Sequence, residues 1–251
     1  SSSTIYGTLA ITGASRVASY TRLGSNNVTV ISFNFTAAGE QMNVTGLNIT
    51  FNGTHSTADI IRVGLYNSSR AEAGIFNGTD AYDLIQWNTS APVAGRYNFS
   101  NIGFNVSVGT NVLLVVVNVS STATGGLTFN ASIEGAADVA TTSSASGQAI
   151  TETLTSQRSG SSTLSALAVT GGSIAPSTIS VSQGATGFLN LTFVATGESM
   201  NLTSINITLT GNGTALNLSD VRIYRDESTA SGRFDSSDTF LSRGVFNGAS
   251  V

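Results

Sequence analysis

The sequence predicts an all-β protein made of two tandem β-sandwich domains, the second lacking its C-terminal strands. Three observations predict it. Apolar and polar residues alternate with period two in short segments, glycine, asparagine and serine punctuate those segments, and the whole pattern recurs once at a fixed offset. No segment carries the 3.6-residue apolar period of an amphipathic helix.

The elements follow in order. Residues 29–36 set Ile31, Phe33 and Phe35 on one face and Ser32, Asn34 and Thr36 on the other. Residues 46–52 set Leu47, Ile49 and Phe51 inward, with Asn48, Thr50 and Asn52 outward. Residues 60–66, 111–119 and 127–133 supply further strands, and the apolar run 112–117 reads as a buried one. In the second copy, Ile205, Ile207 and Leu209 stand against Asn206, Thr208 and Thr210. Short strands at regular spacing with polar turns describe an immunoglobulin-like sandwich. The disulfide and tryptophan hallmarks of antibody domains are missing, so "Ig-like" names architecture only.

The repeat has an offset of 158 residues and needs no gap. Gly39-Glu40-Gln41-Met42-Asn43 falls on Gly197-Glu198-Ser199-Met200-Asn201, and Leu9 to Gly13 falls on Leu167 to Gly171. Phe33, Phe35 and Tyr66 fall on Leu191, Phe193 and Tyr224; Gly74, Phe76 and Asp80 fall on Gly232, Phe234 and Asp238. Val251 stands opposite Val93, so the second copy has no match to residues 96–133. The expected layout is a first sandwich at 1–140, a Ser/Thr/Gly-rich linker or crossover strand at 141–163, and an incomplete sandwich at 164–251.

Composition narrows the function. The 251 residues are 40% hydrophobic and only 10% charged, with a net charge of -4, against roughly 25% charged in ordinary soluble domains. The ten basic residues are all arginine and scattered, which argues against nucleic acid and against a polybasic membrane contact. No apolar run approaches the roughly 18 residues of a membrane-inserting helix. A polar start at Ser1 reads as a chain whose signal peptide has been removed. The absence of cysteine weighs toward a prokaryotic surface protein.

Asn-x-Ser/Thr is the dominant motif. It occurs at Asn27, Asn34, Asn43, Asn48, Asn52, Asn67, Asn77, Asn88, Asn98, Asn105, Asn118 and Asn130 in the first copy. Asn190, Asn201, Asn206, Asn212 and Asn217 follow in the second. With 70 of 251 residues Ser or Thr, chance gives about six such sites among the 21 asparagines, and the chain has 17. A glycan must face solvent, and Asn34, Asn48, Asn52, Asn190 and Asn206 all lie on the outward phase of predicted strands. Sugar would also wet a surface poor in charge and blunt exposed strand edges. Covalent N-glycans are therefore expected on an extracellular, cell-surface protein.

In the second copy, Asp226, Asp235 and Asp238 surround a glycine turn. Carboxylates so spaced suit Ca²⁺, which takes about six to eight oxygens; the alternative is a solvated hairpin whose acidic side chains cap the turn. No other cofactor is expected. His55 is the only histidine and reads as a surface residue in a Gly/Thr/Ser turn. Without cysteine or a second histidine no ordinary zinc set forms, and no Gly-x-Ser-x-Gly elbow marks a serine nucleophile. A glycosidase carboxylate pair has little support, because the acidic residues that recur, Glu40 with Glu198 and Asp80 with Asp238, sit beside turn glycines. Trp87 and the tyrosines read as packing rather than a sugar platform, which leaves a carbohydrate-binding module as a minor reading. Neither enzymatic activity nor a small-molecule substrate is expected.

The order of motifs resembles a known family. Gly197-Glu198-Ser199-Met200-Asn201-Leu202-Thr203 precedes Val221-Arg222-Ile223-Tyr224-Arg225-Asp226 and Gly232-Arg233-Phe234-Asp235 with Asp238. In the first copy, Leu113-Leu114-Val115-Val116-Val117-Asn118-Val119-Ser120 then follows. This succession resembles the Ig-like repeats of archaeal secreted surface glycoproteins, and the sequon density is similar to that of thread-type filament subunits of thermoacidophilic archaea. The resemblance implies donor-strand joining, in which one subunit completes the next subunit's sheet; the two-domain chain departs from that pattern.

The expected function is a subunit of a surface filament or pilus-like fibre, a homopolymer joined by strand exchange. Candidate donors are residues 1–12, with Ile5, Leu9 and Ile11, and residues 149–155, with Ile150 and Leu154. The alternative is an S-layer or adhesin repeat completed by residues after Val251.

Overall fold

The structure is a computed structural model and describes residues 7–68, 74–77, 83–150, 152–178, 185–208, 220–227 and 232–244. It is all-β; no α-helix occurs among the described residues, and a short 3-10 turn spans Ala136–Asp138. None of their helices is long and apolar enough to cross a membrane. The chain divides into two compact units, Ser1–Ala166 with Thr196–Glu198, and Leu167–Ala195 with Ser199–Val251.

The first unit contains β1 (Thr8–Ser15), β2 (Tyr20–Arg22), β3 (Val28–Ala38), β4 (Met42–Gly53), β5 (Ile60–Asn67) and β6 (Leu84–Asn88). It continues with β7 (Arg96–Val106), β8 (Gly109–Val119), β9 (Thr128–Ile133), β10 (Val139–Ser143), β11 (Glu152–Thr153), β12 (Gln157–Arg158) and the start of β13 (Ser162–Ser173). The second unit holds the rest of β13, with β14 (Leu189–Thr196), β15 (Val221–Arg225) and β16 (Thr239–Gly244).

Two sheets build the first unit. One runs β11-β1-β3-β8-β5-β6. In the other, β4 is central: Leu47 pairs with Phe99 of β7 on one side and Val139 of β10 on the other, and β9 takes over from β10 at Thr50. Alternation turns one face of each sheet inward. Leu9, Ile11, Phe33 and Phe35 from the first sheet meet Met42, Leu47, Phe99 and Phe129 from the second in a single buried core. Phe35 and Phe104 meet edge to face across the layers, with centroids 5.5 Å apart. This is a β-sandwich.

The apolar run in β8 has a second purpose. Leu113, Val115 and Val117 enter the core, while Leu114 and Val116 lie on the opposite face under Tyr66, Phe76 and Trp87. Gly64 makes room for that cover, since a Cβ there would stand 2.6 Å from Cζ3 of Trp87.

Local features of the repeat appear in both copies. Gly39 and Gly197 share φ +89°, a left-handed conformation that favours glycine. β5–β6 and β15–β16 are antiparallel hairpins with a bulge at the equivalent place, Leu65/Tyr66 and Ile223/Tyr224. Tyr66 packs on Phe76 at 4.8 Å and Tyr224 on Phe234 at 4.7 Å. The pairing slides by two residues, Tyr66 opposite Leu84 but Tyr224 opposite Phe240. A slide of two keeps every side chain on its face.

Three expectations need correction. Of the two readings of residues 141–163, linker or crossover strand, the segment carries strands, and the first unit runs past 140 to Ala166. This stretch finishes β10, forms β11 and β12 and begins β13, and its serines are buried at Ser143, Ser159 and Ser162. Of the strand expected at 205–210, residues 205–207 have no strand pairing, Thr208 makes a single β-bridge, and Leu209 and Thr210 lie outside the described residues. Its counterpart β4 pairs with β7, β9 and β10, and the second copy has no equivalents of these within the 251 residues. A strand without neighbours leaves its amides to water. Finally, both candidate donors are in use at home. Residues 8–12 lie in β1, antiparallel to β3 with Leu9 and Ile11 in the core. Glu152 and Thr153 pair with β1, and Ile150 and Leu154 pack on the same core. Residues 1–6 lie outside the described residues.

Candidate functional site

The outward face of the second sheet concentrates the sequons. β4 presents Asn43, Asn48 and Asn52 beside the inward Met42, Val44, Leu47, Ile49 and Phe51. β7 presents Asn98 and Asn105 between Tyr97, Phe99, Phe104 and Val106, with a bulge at Asn101–Gly103 where both ends have positive φ. Register then opposes them directly: Asn43 to Asn105, Asn48 to Asn98, and Asn52 to Asn130 of β9. Nδ2 of Asn98 donates to Oδ1 of Asn48 at 2.9 Å, and Nδ2 of Asn88 donates to the carbonyl of Asn98 at 2.8 Å. Nδ2 of Asn52 reaches Ser132 Oγ and Glu134 Oε1, both at 3.5 Å.

Exposure separates the remaining sequons. Asn27, Asn34, Asn201 and Asn206 are exposed, whereas Asn67, Asn77, Asn88 and Asn190 are half-buried. Asn212 and Asn217 lie outside the described residues.

Asn118 is a correction. Its side chain is 5% exposed, Nδ2 donates to Oδ1 of Asn26 at 2.7 Å, and Oδ1 accepts the N–H of Asn27 at 2.9 Å. The amide ties β8 to the turn before β3, and a sugar on that nitrogen has no room.

The acidic turn is a capped hairpin. Oδ2 of Asp226 accepts the N–H of Gly232 at 2.6 Å, Oδ2 of Asp238 that of Asp235 at 3.0 Å, and Oδ1 of Asp235 that of Ser237 at 2.7 Å. Among the described residues no group of three or more acidic, imidazole or thiol side chains gathers as a metal site, and Asp226, Asp235 and Asp238 cap backbone N–H groups as in the hairpin alternative. Asp80 lies outside the described residues.

Glu40 fastens two strand ends, accepting from Gly7 N–H at 3.1 Å and Ser143 Oγ at 2.6 Å. The hydrogen bond from Ser143, then that from Gly7, holds its carboxyl below the usual carboxylate range. His55, expected at the surface, is half-buried. Its ring lies 6.3 Å from Phe51 and 6.4 Å from Phe129, Nδ1 is buried without a partner, and burial draws its pKa below 6.5. Nearby Asp59 accepts N–H bonds from Ser56 and Thr124. Trp87 packs edge to face on Tyr66 at 5.5 Å and carries the Arg62 guanidinium at 4.0 Å.

The second copy presents a different surface. Leu167, Val169, Leu189, Phe193 and Val194 on β13 and β14 are exposed, and among the described residues β14 ends its sheet. In the first copy the equivalent strand β3 has β8 along that edge. The repeat in the sequence located Leu167, Val169 and Phe193; their exposure depends on a neighbour the repeat could not supply.

No family model matches the chain, and no curated protein matches it. A crystal structure of a cohesin–dockerin complex aligns with 63% of this chain and 99% of the other, at 16% identity and a TM-score of 0.28. That likeness is too slight to bear on function.

Proposed function

We propose that the chain is an extracellular structural glycoprotein of the archaeal cell surface, a subunit of a filament or pilus-like fibre built from Ig-like repeats and joined by β-strand complementation. The observation that carries this reading is the edge of β14 that no strand among the described residues pairs with, beside exposed Leu189, Phe193 and Val194. An unpaired edge flanked by apolar side chains is a template for an added strand. The first copy supplies the pattern: β8 runs antiparallel to β3 and buries Phe33 and Phe35. A neighbouring subunit's extended segment takes that place on β14, and a head-to-tail contact of this kind propagates into a fibre. Sequon asparagines crowding an outward sheet face support a sugar-wetted exterior.

The second reading is an S-layer or adhesin repeat. It is favoured by the engagement of both expected donor segments within the first unit, so that the completing strands would come from the same longer polypeptide. Native material separates the two by electron microscopy, intact mass and a peptide map. Fibres of a glycosylated chain are expected. A planar lattice, or peptides extending past Val251 that pair with β14, transfers the case to the second reading. An unmodified mass of 25.6 kDa removes the glycoprotein reading altogether.

A further inference from the structure

Of the four sequons that oppose each other across β4 and β7, we infer that Asn98 and Asn105 on β7 carry the glycans and that Asn43 and Asn48 on β4 stay bare. The inference rests on the glycoprotein reading and asks which sites that reading uses.

Register sets the limit. Directly opposed residues of an antiparallel pair have Cβ atoms about 4.5–5.5 Å apart. A pyranose with its substituents fills that spacing, so two sugars rooted on Asn48 and Asn98, or on Asn43 and Asn105, compete for one volume. Each pair has room for one.

Exposure sets the choice. The acceptor motif comprises the asparagine amide and the hydroxyl two residues on. On β7 both parts are open, since Asn98 and Ser100, like Asn105 and Ser107, are exposed. On the central strand both are withdrawn. Asn43 and Asn48 are half-buried, Thr50 is buried, and Thr45 Oγ1 donates to the Ala140 carbonyl at 3.2 Å.

Hydrogen bonding suits the same assignment. A glycosylated amide keeps one N–H, so Asn98 can bear a sugar and still donate to Oδ1 of Asn48. Oδ1 of Asn43 is buried without a partner opposite Asn105, placed to accept in the same way. The bare asparagines of β4 thus act as seats for their modified neighbours. In the covalent step, Nδ2 bonds to the anomeric carbon of a lipid-phosphate-linked oligosaccharide. The bond from that carbon to the phosphate oxygen breaks, and one amide proton leaves with the phosphate.

The test is site-resolved glycopeptide mass spectrometry on the full chain from an N-glycosylating archaeal host, with Asn98→Gln/Asn105→Gln alongside. Sugar is expected on Asn98 and Asn105 and absent from Asn43 and Asn48, and the double variant should lose two glycan masses and gain none on β4. Sugar on Asn43 or Asn48 in more than trace amount, or bare Asn98 and Asn105 on a chain glycosylated elsewhere, overturns this inference and leaves the glycoprotein reading standing. A chain with no sugar at any site overturns both.

Discussion

Ile11 and Val169 occupy equivalent places in the two copies, yet Ile11 is 2% exposed and Val169 52%. The same holds for Phe35 at 0% and Phe193 at 38%. The residues are nearly interchangeable in chemistry, and both members of each pair lie in strands. What differs is the company: β3 has β8 beside it and β4, β7 and β9 across from it, while among the described residues β14 ends its sheet. An apolar face stabilises a fold only when something covers it. The hairpin β15–β16 keeps its bulge and its Tyr224–Phe234 contact because those need only local partners. Elements with local partners survive without the rest of the sandwich, and elements with distant partners do not.

The largest test of that comparison is a matched pair of truncations. Phe35→Ala removes a core ring and its edge contact with Phe104 and should cost about 3–5 kcal/mol. Phe193→Ala, already half in water, should cost under about 1 kcal/mol in the unassembled chain. Urea denaturation of both variants reads the difference. Equal losses would mean that the second copy is covered in solution. A large Phe193→Ala effect only in fibres would identify β14 as the docking strand.

A smaller effect is expected at Gly64. Added volume there presses on Trp87, and Gly64→Ala should destabilise by about 1–3 kcal/mol. The second copy has Arg222 in place of this glycine, and Arg243 pairs opposite it. Combining Gly64→Ala with Trp87→Ala should cost less than the sum of the two, because the two closest contacts go with the indole and only Tyr66 Cε2, at 2.9 Å, is left to give way. Strict additivity would show that the indole does not impose the glycine.

The smallest effect concerns acid stability. Glu40 is held below its usual range, so its contribution is present above the unfolded carboxylate pKa and lost as pH falls through the folded value. His55 is drawn below 6.5 by burial, so the fold disfavours the imidazolium and loses stability as pH falls from 6.5 toward the folded pKa. The second copy has Gly213 in place of His55, which confines that limb to the first copy. Denaturation midpoints across pH should show a shallower low-pH limb for Glu40→Gln and a shallower upper limb for His55→Gln. Unchanged slopes would remove the two groups from the account.

Much of this was legible beforehand, for physical reasons. Alternation at 29–36 and 46–52 gives each strand its inner face wherever the strand pairs, and the repeat transfers local turn geometry from Gly39 to Gly197. β7 was harder to see, although Tyr97, Phe99, Ile102, Phe104 and Val106 all point inward, because the bulge at Asn101–Gly103 breaks the period. The Ser-rich stretch misled for a related reason. Ser159 Oγ accepts the N–H of Ala131 at 3.0 Å and Thr21 shares a 2.7 Å hydrogen bond with Ser162. Small hydroxyls can be buried when hydrogen-bonded, and composition cannot distinguish them from a linker. Asn118 has the same motif as Asn34, and only the turn packed against it tells them apart.

The sequence by itself determined the all-β class, the repeat, the inner faces of the strands at 29–36 and 46–52 and the position of every sequon. These follow from local rules, backbone period and turn chemistry, that each segment obeys alone. Tertiary structure decided which asparagines face one another across β4 and β7, which amide is sealed beneath a turn, and which copy keeps its apolar face dry. Those outcomes depend on register and on neighbours far away in the chain, and no local pattern encodes a neighbour.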